Sequence, residues 1–79
     1  MELDAVKALL EQNLEDCDVS VSGDGRHIDV MVVGDVFSGL SPVKKQQLVY
    51  KVLNAHIASG EIHAVNMKLF TREQWAKRE

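Results

Sequence analysis

From Asp18 to Val33 apolar side chains recur at every second position, and Gly23-Asp24-Gly25 breaks the pattern once. Val19 and Val21 alternate with Asp18, Ser20 and Ser22. Beyond the glycines, Ile28, Val30 and Val32 share one face while His27, Asp29, Met31 and Val33 share the other. A period of two is that of a half-buried strand, and the glycines tolerate a tight reversal, so Val19–Val33 is expected to form a β-hairpin. Its apolar face needs a cover. Leu3, Val6, Leu9, Leu10 and Leu14 recur at helical spacing between charged residues, which predicts an amphipathic helix over 2–14 that can lie on it.

The remaining elements follow from local chemistry. Phe37 and Leu40 are expected to pin the irregular stretch between Gly34 and Gly39 to the core. Ser41 is a good N-cap, and Pro42 suits the first helical position because its missing N–H has no partner there anyway. A second helix should run to about Ser59, with Val49, Val52, Leu53, His56 and Ile57 on one stripe, Lys44, Lys45, Gln47, Lys51 and Asn54 outside, and Gly60 as a left-handed cap. Residues 62–70 alternate again as a third strand, opened by Ile62 and His63. Thr71 and Gln74 fit a capping box at the start of a terminal helix over 72–78, anchored by Trp75. The expected fold is a single α+β domain over residues 1–79, in the order α-β-β-α-β-α, with helices on one face of a three-stranded sheet.

Composition limits function. A chain of 79 residues encloses one core and buries only roughly 60% of the surface it exposes when unfolded. The net charge of −3 lacks the footprint behind most non-specific nucleic-acid affinity. The longest apolar run, Val30 to Val33, is far short of the roughly 20 residues that span a bilayer, so no membrane partner is expected. One cysteine, Cys17, cannot form an internal disulfide, which together with the lack of a signal sequence points to the cytoplasm.

Enzymatic motifs are missing: there is no phosphate-binding glycine loop, nucleophile elbow, paired cysteine or HExxH, and the expectation is a protein that is no enzyme. His56 falls on the apolar stripe of the second helix and reads as a core-edge imidazole. Cys17 reads as a small packed hydrophobe. His63 follows the Gly60-Glu61 turn, where an imidazole can face outward as a soft-metal or cluster ligand, and His27 lies just past the hairpin turn. Periodicity alone leaves each of these two as either a ligand or an ordinary surface imidazole.

The segment VSGDGRHIDVMVVGDVFSGLSPVKKQQLVYKVL and the block GEIHAVNMKLFTREQW resemble the BolA family, and within it the short bacterial branch associated with acid stress. The most specific pieces are Phe37-x-Gly39, Val49-Tyr50, Ile62-His63-Ala64 and Thr71-x-x-x-Trp75. The resemblance covers nearly the whole chain. It implies a fold similar to type II KH domains, and partnership with a monothiol glutaredoxin that shares a [2Fe-2S] cluster held also by glutathione. It further implies that His63 of the IHA triplet is a cluster ligand and that the second, from the loop between the first two strands, has its nearest match in His27. No cofactor is expected in the isolated chain. Since an unperturbed imidazole protonates near pH 6.5, such a ligand would be lost in acid before thiolates are.

A rival reading is a KH-like nucleic-acid-binding transcriptional regulator that uses the basic face of Lys44, Lys45 and Lys51. The chain has no GxxG clamp between helices, and Lys44-Lys45-Gln46-Gln47 stands where BolA-like sequences often carry arginines, whose planar fork lysine lacks. A weak homodimer of the free chain is a further partnership that the sequence leaves open.

Overall fold

A computed structural model describes residues 1–78. Leu3–Asn13 forms helix α1, Asp18–Gly23 strand β1, His27–Val33 strand β2, Pro42–Ala58 helix α2, Ala64–Phe70 strand β3 and Arg72–Ala76 helix α3, with a 3₁₀ turn at Asp35–Phe37. The element order expected from the sequence is the one observed. Boundaries moved little, with one exception of consequence: Ile62 and His63 precede β3 instead of opening it.

The sheet order is β1-β2-β3. β1 pairs antiparallel with β2, and β3 pairs parallel with the other side of β2. Parallel neighbours cannot be joined by a tight hairpin, and the long α2 crossover is what returns the chain to the end from which β2 started. The register sets His27 opposite Ala64 and Val33 opposite Phe70.

Alternation places Val19, Ile28, Val30 and Val32 inward, where they meet Val6, Leu10 and Leu14 of α1 and Val49 and Leu53 of α2. Phe37 is fully buried, so the connection before α2 is pinned as expected, with Leu40 packed against the same cluster. Ile62 closes the core beneath the end of α2.

Caps fix the helix ends. Ser41 Oγ accepts the Lys44 N–H, and Gly60 has φ +85°, the left-handed conformation that ends α2 with little cost for glycine. At α3 the capping box forms in both directions between Thr71 and Gln74. Trp75 packs edge-on against Phe70, with ring centroids 5.3 Å apart.

Lys45 departs from expectation. It is only 7% exposed, and its Nζ donates to Gln74 Oε1 at 2.7 Å instead of sharing the outer face with Lys44 and Lys51. A long side chain can be buried in this way because its ammonium reaches a polar partner on another element.

Candidate functional site

The parallel pairing of β2 and β3 brings their first residues to one end of the sheet, beside the hairpin turn. Two features shape that turn. Gly23 has φ +119°, and a Cβ there would collide with the His27 carbonyl oxygen. Asp24 Oδ1 accepts the backbone N–H groups of Arg26 at 2.9 Å and His27 at 2.8 Å, an Asx turn that fixes the entry of β2. The N–H donors of His27 and Arg26 hold the Asp24 carboxyl below its ordinary value.

His63 reaches the same place from the other direction. Buried Ile62 donates its N–H to the His56 carbonyl at 3.1 Å, which locks the turn after α2, and the next side chain points to solvent. The His63 and Ala64 N–H groups then share the Arg26 carbonyl, at 2.7 and 3.1 Å. As a result the His27 and His63 rings stand 6.0 Å apart by centroid, near-perpendicular at 83°. His27 Nδ1 is 3.9 Å from Asp24 Oδ2, and both side chains are about two-thirds exposed. Arg26 Nη2 lies 3.1 Å from His63 Nε2. Arg26 is not among the candidates expected from the sequence, where its position directly before His27 in a tight turn is the available signal.

The other candidates lie elsewhere. His56 is half-buried with Nδ1 3.0 Å from Glu61 Oε1, an oxygen that also accepts from Ser59 Oγ at 3.1 Å. These hydrogen bonds, from His56 first and then Ser59, lower the Glu61 pKa. Cys17 precedes β1, whose antiparallel course puts it at the opposite end of the sheet, near Gly34. Burial pushes its thiol up, against the opposing charge of Arg72, so it is a poor thiolate source. Lys44 and Lys51 remain on an exposed face of α2, with Tyr50 also exposed.

Among the described residues, no three His, Cys, Asp or Glu side chains converge as a metal-binding group. The site therefore offers two accessible imidazoles and no complete coordination shell. That donor set suits a metal centre finished by ligands from another molecule, and imidazole is a competent ligand for iron.

These features define a small α+β domain with a mixed three-stranded sheet and a paired-imidazole surface at one end. The chain belongs to the BolA family, whose model, described as BolA-like protein, matches residues 5–74. It is 46% identical over 77 residues to the acid stress protein IbaG of Escherichia coli strain K12, covering 98% of this chain and 92% of that protein. Among solved structures, a BolA protein homologue from Coxiella burnetii superposes with a TM-score of 0.85 at 29% identity, covering 98% of this chain and 99% of that one. BolA1 from Arabidopsis thaliana, at 24% identity, shares the fold with a TM-score of 0.81 over 94% of this chain and 98% of that one. No helix among the described residues is long and apolar enough to cross a membrane.

Proposed function

We propose that this chain is a non-enzymatic BolA-like protein that docks on a monothiol glutaredoxin and helps to hold a shared [2Fe-2S] cluster, acting in iron-sulfur homeostasis in the cytoplasm. His63 and His27 would supply imidazole nitrogens, and the glutaredoxin with its glutathione would supply thiolates. The observation that carries this reading is the meeting of two exposed imidazoles at one sheet end, where no group of three potential ligands converges among the described residues. When bound, such a cluster carries one-electron chemistry, and imidazole in place of thiolate raises its potential. A role in acid stress is supported by the name of the Escherichia coli relative, and imidazole protonation in mild acid gives that role a chemical basis.

Reconstitution of the two proteins with iron and sulfide under reducing conditions tests the reading. The mixed complex should show visible absorption distinct from that of glutaredoxin alone, and His63→Ala should abolish the difference, with a smaller loss for His27→Ala. Cluster loss should accelerate as pH falls from about 7.5 to 5, the range over which imidazoles titrate. Unchanged spectra in both variants would defeat the proposal.

The nucleic-acid reading has less support, because Lys45 is withdrawn from the face that it needed. Its remaining form predicts that Lys44→Ala with Lys51→Ala weakens binding to DNA and flattens the salt dependence.

A further inference from the structure

Every nitrogen of a guanidinium is a donor, so the 3.1 Å approach of Arg26 Nη2 to His63 Nε2 requires that Nε2 present its lone pair and that the ring proton sit on Nδ1. Arg26 holds the same histidine by the main chain as well, since its carbonyl accepts the His63 N–H. Both side chains are exposed. Among the described residues Arg26 makes no ion pair with a carboxylate, so its contact with the imidazole is not a by-product of a salt bridge. His27 stands edge-on to His63 at 6.0 Å and leaves that ring's nitrogens alone.

We infer that Arg26 is a positioning residue and a latch for His63: its guanidinium selects Nε2 as the lone-pair nitrogen and covers it until a metal centre takes its place. The inference rests on the ligand role proposed for His63. A ligand imidazole has two distinct nitrogens, and the one that binds is set by the bond its surroundings make. Arg26 settles that choice in advance. It also competes for the same lone pair, so the free protein offers stray metal ions a weakened site.

The test uses metal-free, ¹⁵N-labelled protein at pH 8, read by long-range ¹H–¹⁵N correlations within the imidazole rings. Wild type should show His63 with Nδ1 protonated and Nε2 bare. Arg26→Ala should move proton population toward Nε2, while His27→Ala should leave the His63 pattern as it was; backbone amide spectra of the same samples check the fold. Titration with Zn²⁺ alone should then show tighter binding by Arg26→Ala, by about two- to tenfold, the worth of one net hydrogen bond. An unaltered tautomer in Arg26→Ala overturns the inference. So does tighter Zn²⁺ binding without a tautomer change, which would be charge repulsion alone. Failure of His63→Ala to alter the reconstituted cluster would remove the ligand reading and leave the tautomer result standing, so the two are separable.

Discussion

Lys45 Nζ and the Thr71 N–H converge on one oxygen, Gln74 Oε1, at 2.7 and 2.9 Å. A single carboxamide thus ties the first turn of α2 to the first turn of α3. Lys45→Ala removes a buried donor together with the packing of its stem and should lower unfolding stability by about 1–3 kcal/mol, whereas Lys44→Ala should stay within about 0.5 kcal/mol. Urea unfolding followed by Trp75 fluorescence compares them. Equal midpoints would mean that the ammonium is worth no more than a solvated charge.

That pairing also shows where sequence reasoning stops. Helical periodicity separates faces, and Lys45 sits at the border between the Val49 and Lys44 stripes. A lysine is assigned to water by default. Its partner lies 29 positions away in a helix whose docking angle no local pattern states. By contrast, the Ser41 cap, the Thr71/Gln74 capping box and the left-handed Gly60 were legible because each is a contact within a few residues.

Gly34 is needed for a steric reason rather than a torsional one: its φ of −179° suits any residue, but an added Cβ would lie 2.5 Å from Cys17 Sγ and 3.2 Å from the Asp16 carbonyl oxygen. Gly34→Ala should cost about 1–3 kcal/mol through overpacking. Combining it with Cys17→Ala should recover part of that loss, and a double-mutant cycle by chemical denaturation reads the coupling. Strict additivity would rule out the sulfur as the obstacle.

Phe37 is the largest fully buried side chain and sits in a connection, not in a strand or long helix. Phe37→Ala should cost about 3–5 kcal/mol. In a domain this small that is a large share of the total stability, typically about 0.05–0.15 kcal/mol per residue, so calorimetry should find the variant wholly or partly unfolded at 37 °C. A melting curve close to that of wild type would show that the segment is not part of the core.

Asp24 is held below its ordinary 3.8 by the N–H groups of His27 and Arg26. A carboxyl with a depressed folded pKa stabilises above its unfolded pKa, and this contribution is lost as pH falls through the folded value. Asp24→Asn keeps an acceptor oxygen but not the charge. Melting temperatures measured from pH 6 down to about 2 should therefore fall less steeply in the variant below about pH 4. Parallel curves would show that the turn does not depend on the ionised form.

The candidate site was half legible. His63 and His27 could be picked out as outward-facing imidazoles near turns, but their separation depends on the parallel β2–β3 register, a long-range pairing with no local signature. Arg26 was missed because an arginine in a turn is ordinarily a solvated charge. Only its distance from a residue 37 positions later gives it a role.

The parallel register has a consequence for biosynthesis. Because β3 follows α2 in the chain, a nascent chain that ends before Ala64 lacks the β2–β3 pairing that sets His27 beside His63. The paired-imidazole end therefore exists only in chains already made through β3.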